Sequence, residues 1–436
     1  MNLNMGAVRN PPRHVTFGAV AFFIIVLFVV FTPRTPHLDV SRLQSSTGSA
    51  APPAAAAAPL AGGKTSSKTS SSGSGSAPAA YKSNAEKLYG NDYHGHSSPS
   101  DINRVTNDTL GFSKIFVVGL PERSDKRDAI ALTSSLTGFH VDWVDGVKGE
   151  SIPDKAVPFG TDRKKLWESN LGSWRGHMNA IRRIVEDDLE SALIMEDDMD
   201  WDVRLKPQLE RVAQGARALL GSKSNPASPY GDDWDILWLG HCGEVFPELL
   251  DENKGKPADD KGIKYMQRKF VIEKDATVPP LDKVTGLIDF KASPEHTRWV
   301  HITGAPICTF AYALSQKGAR KVLFDLSVDH LNGPFDNSLA WLCRRAVSSV
   351  GAPEEKAGDR GLDTKCLSVT PPIFFHHKAK GMMSGDSDIQ TVADGAVREK
   401  GVTENIVWSA RNNIRNMIMG TRMESQYEDI SSSKSS

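Results

Sequence analysis

The chain has 436 residues, with 52 Lys+Arg against 53 Asp+Glu and a formal charge of −1. That balance supplies no basic face for nucleic acid and no acidic tail, so nucleic-acid binding is not expected. Composition divides along the chain: residues 1–32 are basic and then greasy, 33 to about 110 are poor in large apolar residues, and the remainder carries nearly all the Trp, Phe and charge of a globular protein.

Val15 to Thr32 is 18 residues without a charge. At about 1.5 Å per residue it just spans an ER-type bilayer. Arg9 and Arg13 precede it, and Phe31-Thr32-Pro33-Arg34 lacks a small-x-small cleavage site, which favours an uncleaved signal anchor with a short cytosolic leader (1–14) over a cleaved signal peptide. The rest is then lumenal. Residues 33–110 read as a disordered stem, since the Ser/Ala/Pro/Gly tract from Gln44 to Ala80 cannot bury enough apolar surface to order itself. The expected catalytic domain is 111–420, followed by a disordered tail, 421–436. A single-pass type II protein of the Golgi or ER follows from this order. Cys242, Cys308, Cys343 and Cys366 permit two disulfides or remain free thiols, and with no CxxC they do not suggest zinc. Asn107-Asp108-Thr109 is a sequon where stem meets body.

The body opens as β-α-β: Ile115–Leu120 suits a strand buried on both faces, Glu122–Leu136 a helix, and Phe139–Val144 a second strand. Leu171, Trp174, Met178, Ile181 and Val185 recur at helical spacing. The strand Ala192–Met195 ends in Glu196-Asp197-Asp198. Further strands are expected at Asp235–Leu239, Ile307–Leu314 and Leu367–Thr370, with a helix from Gln316 to about Leu326. Alternating strands and helices predict an α/β open parallel sheet, whose ligands bind at the carboxyl ends of the strands.

The acidic triplet sits at such an end. Three adjacent carboxylates repel one another, and an Mg²⁺ or Mn²⁺ ion bridging nucleotide phosphates relieves that cost; the rival is a solvated acidic turn. Asp198 is the first choice as metal ligand, with Glu196 and Asp197 orienting it or touching ribose. In Phe374-Phe375-His376-His377-Lys378-Ala379-Lys380, His377 suits Mn²⁺ and Lys378 and Lys380 suit phosphate; the alternative is an ordinary surface loop. Arg123 and Arg127 suit uracil or phosphate, or else form a solvated helix face. Asp145, or Asp142, at the end of the second strand suits ribose hydroxyls, or else is a turn residue. His177 is either a structural helix histidine or a site residue.

The order of these blocks resembles glycosyltransferase family 25, which includes lipooligosaccharide and collagen galactosyltransferases. Ile115–Leu120 with Arg123 and Arg127 resembles the opening strand, with Gly119 where Asn is usual. Val141–Gly146, Gly172–His177 (Gly176 replacing Ser), Leu193–Asp198, Trp234–Gly240, Tyr312–Ser315 with Gly318–Lys321, and Pro371-Pro372 through Ser387-Asp388-Ile389 continue in family order from about Lys114 to Ile389. The resemblance implies a GT-A (Rossmann-like) fold in one catalytic domain, a UDP-sugar donor, Mn²⁺ or Mg²⁺ with Glu196, Asp198 and His377 as ligands, and hexose transfer, galactose or glucose, with inversion to a glycan or glycoprotein. Arg123, Arg127, Asp145, His177, Asp197, Lys378 and Lys380 then line the donor site. Asp336, in Gly333-Pro334-Phe335-Asp336-Asn337, matches the family's Pro-x-Asp-Glu element, with Asn337 replacing Glu; it is either the catalytic base or a helix cap. A metal-dependent hydrolase and a catalytically inactive lumenal sugar-binding module are the alternatives.

Overall fold

The computed structural model describes residues 101–221, 226–356, 358–389 and 395–427. The expected leader, anchor and most of the stem lie outside these residues. Among the described residues no helix is long and apolar enough to cross a membrane.

The chain runs β1 (Lys114–Gly119), α1 (Ser124–Thr137), β2 (Asp142–Asp145), α2 (Glu168–Glu186), β3 (Ser191–Glu196), β4 (Met199–Trp201) and α3 (Leu205–Leu220). There follow β5 (Ile236–Gly240), a short α4 (Lys261–Met266), β6 (Lys269–Ile272), β7 (Arg298–Ile302), β8 (Ala311–Ser315), α5 (Gln316–Leu323) and α6 (Phe335–Ser348). The last part holds β9 (Cys366–Thr370), β10 (Phe374–Lys378), the two-residue strands β11 (Gly381–Met382), β12 (Val397–Arg398) and β13 (Val402–Thr403), and α7 (Ile414–Met419).

Eight strands form one sheet in the order β2-β1-β3-β8-β5-β9-β7-β6. The fold is mixed α/β, and the expected all-parallel sheet is corrected. β1 is parallel to β2 and β3, and β5 to β9, but β8 is antiparallel to both β3 and β5, and β7 to both β9 and β6. Parallel neighbours need a crossover, usually a helix, whereas β6 and β7 are adjacent and joined without one, so the chain reverses there. β8 keeps β7's direction after an extended return through Thr303–Phe310, part of which pairs with 242–245. The carboxyl ends of β1, β2, β3, β5 and β9 therefore share one edge with the start of β8.

Each face of the sheet buries a separate apolar layer. α2 covers one face with Leu171, Trp174, Met178 and Ile181, all fully buried, against Phe116, Ile194 and Tyr312. α3 covers the other with Leu209, Val212, Ala213 and Ala216 against Leu237, Val300 and Val369. Trp174 also donates its indole N–H to the Leu326 carbonyl at 2.8 Å, so its polar edge is satisfied within the core.

The body extends past both expected boundaries. Val105 and Leu110 are fully buried, so the segment 101–110 packs as part of the body and not as stem. Residues 421–427 are likewise held, because the Gln426 amide spans the Thr403 and Ile406 carbonyls. Two disulfides join Cys242 to Cys308 and Cys343 to Cys366, and among the described residues no cysteine is free.

Candidate functional site

The triplet lies where β3 ends: Glu196 is the last residue of the strand, and Asp197 and Asp198 form the turn into β4. Lys126, in the first turn of α1, projects between the carboxylates. Its ammonium lies 3.0 Å from Asp197 Oδ1, 3.4 Å from Asp198 Oδ2 and 2.9 Å from Asp388 Oδ2. Burial opposes its charge, but the carboxylates prevail and hold Lys126 above the usual lysine range. Burial pushes Asp197 up to about 6 against the pull of Lys126. Asp198 Oδ1 is buried and has no hydrogen-bond partner. From behind, the Arg411 guanidinium donates to the Asp197 and Met199 carbonyls, both at 3.1 Å.

The arginines expected to face a nucleotide are engaged within the protein. Arg123 bonds Asp125, Asp388 and the Gly385 carbonyl, which ties the 385–388 segment to the start of α1. Arg127 pairs with Asp145 at 2.5 Å, donates to the Gly119 carbonyl and stacks over Trp143 at 4.5 Å. Arg127 and Asp145 thus close the β1–β2 edge together, so a ligand there would meet the pair and not two separate groups.

The expected loop around His377 is a strand. β10 pairs antiparallel with β4, and the His377 amide donates to the Asp198 carbonyl at 2.8 Å, which sets the two residues opposite each other. His377 Nδ1 is 2.8 Å from Thr403 Oγ1, and burial holds the ring below the usual histidine range. Lys378 pairs with Glu404 at 3.1 Å, while Lys380 is exposed in the turn before β11. Lys378 is thus half-buried in an ion pair, whereas Lys380 is exposed.

Across the edge, Glu196 accepts from the Thr309 hydroxyl at 3.1 Å, and burial with the neighbouring Asp198 pushes it up to about 8. His177, 1 % exposed, bonds the Tyr312 hydroxyl through Nδ1 at 3.0 Å and stacks on Phe335; burial presses it down to about 3, so it is neutral. Its Nε2 lies 3.8 Å from Glu196, beyond hydrogen-bond reach. Asp336 is no helix cap. Pro334 holds that position, and Asp336 Oδ2 accepts from the Cys308 amide at 3.2 Å.

No family model matches the chain. It is 26 % identical over 144 residues to a protein named Procollagen galactosyltransferase 1 from Danio rerio, covering 30 % of this chain and 22 % of that relative. Against Procollagen galactosyltransferase 2 from Mus musculus it is 23 % identical over 305 residues, covering 66 % and 39 %. A Homo sapiens protein named Inactive glycosyltransferase 25 family member 3 is 25 % identical over 161 residues, covering 34 % and 25 %. The chain resembles glycosyltransferase family 25. It spans between about a fifth and two fifths of the length of these relatives.

The geometry explains one departure from the family 25 pattern. A Cβ at Gly119 would lie 2.4 Å from Asp197 Oδ2, so the Asp197 carboxylate leans into space that an Asn side chain would take. Sequence reasoning missed Lys126, Asp388, Arg411 and Thr403 as site residues. Lys126 lies between the two chosen arginines and carried the same signal, whereas Arg411 and Thr403 lie beyond the family 25 blocks and carried none.

Proposed function

We propose that the protein is a family 25 glycosyltransferase of GT-A fold that moves a hexose, galactose or glucose, from a UDP-sugar to a hydroxyl of a glycan or glycoprotein, with inversion. The observation that carries this reading is the carboxyl-edge cluster, where Asp198 keeps a buried, unpartnered oxygen opposite His377 and beside Lys126. A divalent cation fits that oxygen and an imidazole, with diphosphate completing the shell. Asp198 and His377 would hold Mn²⁺ or Mg²⁺. Glu196 fits less well: among the described residues the one group of three possible ligands within mutual reach is Asp325, Asp329 and His330, where Asp325 is already paired with Arg345. When bound, the ion would neutralise charge developing on the leaving diphosphate. Lys126 adds positive charge there, and Asp336 on the other side of Glu196 is the candidate to accept the acceptor's proton. The two disulfides support an oxidising compartment of the secretory pathway, as a Golgi or ER type II protein anchored through Val15–Thr32 would require.

Hydrolysis and transfer assayed across UDP-galactose, UDP-glucose and other nucleotide sugars, with and without Mn²⁺, test the reading and identify the sugar. Asp198→Ala is expected to abolish turnover while leaving the fold intact, because its backbone bond to His377 does not involve the side chain. Full turnover in a chelator would sink the metal assignment. A second reading, an inactive sugar-nucleotide-binding module, is favoured by the Lys126 ammonium, which already offsets the acidic cluster. It predicts nucleotide binding without turnover on any donor.

A further inference from the structure

Asp200 is fully buried in β4, and four donors point at its carboxylate: the amides of Trp201 and Arg411 at 2.8 and 3.0 Å, the Ser409 hydroxyl, and the Thr403 hydroxyl at 2.6 Å. A carboxylate so surrounded accepts only, so the Thr403 proton goes to Asp200. Thr403 Oγ1 is then left to accept from His377 Nδ1, 2.8 Å away. An imidazole protonated at Nδ1 has its lone pair at Nε2.

We infer that Asp200 and Thr403 act as positioning residues that hold His377 in its Nδ1–H tautomer and present the Nε2 lone pair to an incoming divalent cation. Two further features agree. Its backbone is locked to Asp198, the other candidate ligand. Residue 401 is a glycine, and a Cβ there would crowd Nε2 at 3.0 Å, so the bare backbone keeps that edge of the ring open. Thr403, Ser409 and Arg411 all lie beyond Ile389, where the family blocks end. A segment without motifs thus sets the chemistry of a residue within them. The inference rests on the metal-assisted reading above for the identity of the ion.

The test uses the full chain labelled with ¹⁵N-histidine, reading the His377 tautomer by long-range ¹H–¹⁵N NMR and Mn²⁺ affinity by electron paramagnetic resonance. Thr403→Val keeps shape and leaves Asp200 three donors; it is expected to lose the Nδ1–H preference and to weaken Mn²⁺ about 10–100-fold. Thr403→Ser should restore both. Ser409→Ala removes a different hydroxyl from the same carboxylate and should change neither. His377 protonated at Nε2 in the parent protein, no Mn²⁺ binding by that protein, unchanged Mn²⁺ affinity in Thr403→Val, or an equal loss in Ser409→Ala would each overturn the inference. Absence of turnover on every nucleotide sugar would instead sink the transferase reading and leave the tautomer and affinity measurements standing.

Discussion

Lys126 brings one positive charge into a pocket where Asp197, Asp198 and Asp388 all face it. Removing one partner from a buried ionic cluster leaves the others uncompensated, which typically costs about 3–5 kcal/mol. Lys126→Met is expected to lose stability on that scale by urea denaturation, and added Mn²⁺ to restore part of it; no restoration would count against an ion at the triplet. Asp336 separates structure from chemistry more sharply. Its carboxylate caps no helix, and Asn in its place can still accept from the Cys308 amide, so Asp336→Asn should shift stability by less than about 1 kcal/mol. As a general base it should lose about 10²–10⁴-fold in turnover. Near-normal turnover in that variant would move the base elsewhere.

Helix α2 and strand β3 are the elements in which sequence and structure agree most directly. Leu171, Trp174, Met178 and Ile181 declared a helix face by spacing, and all four are fully buried. Trp174→Ala should cost about 3–5 kcal/mol, measured by the same denaturation, because the cavity lies between a helix and the central sheet. α3 shows the opposite outcome. Leu205, Leu209, Val212, Ala213, Ala216 and Leu219 carry the same periodicity and are buried, yet no element was assigned there. β4 and β7 were illegible for a physical reason. Asp200, Asp202 and Arg298 are buried through partners distant in sequence, and a linear reading places such charges at the surface. The triplet was legible because it ended an apolar strand. Thr403 and Arg411 were not, because their importance lies in what they touch and nothing in their own neighbourhood announces it.

Across the molecule, buried titratable groups pull stability in opposite directions with pH. Burial presses His177, His241 and His301 to about 3, 4 and 3. Below about pH 6.5 the unfolded chain takes up protons that the fold refuses, so stability should fall as pH drops toward 4. Glu244 behaves in the reverse sense. It is buried against His241 and His301 with one oxygen unpartnered, and burial raises it from the usual 4.5 to about 8. The fold keeps a proton that the unfolded chain releases, so this contribution is complete below pH 4.5 and is lost as pH rises through 8. Thermal midpoints should therefore decline from pH 6.5 to 8.5, and Glu244→Gln should reduce that decline while leaving the acid limb unchanged. An undiminished alkaline decline would exclude Glu244 as its source.

The order of strands in the sheet also governs how the protein can be made. Ile194 of β3 pairs with Tyr312 of β8, Leu237 of β5 with Leu367 of β9, and Asp200 of β4 waits for Thr403, Ser409 and Arg411. Synthesis delivers these partners late. Until then β3 has an open edge, and the carboxylates that will surround Lys126 lack the arginine behind them. A chain emerging at about 5–20 residues per second must leave that edge of β3 unpaired for many seconds. The carboxyl edge is consequently assembled only after translation has passed residue 411, so a ribosome-bound intermediate would contain the triplet in sequence but not yet the site.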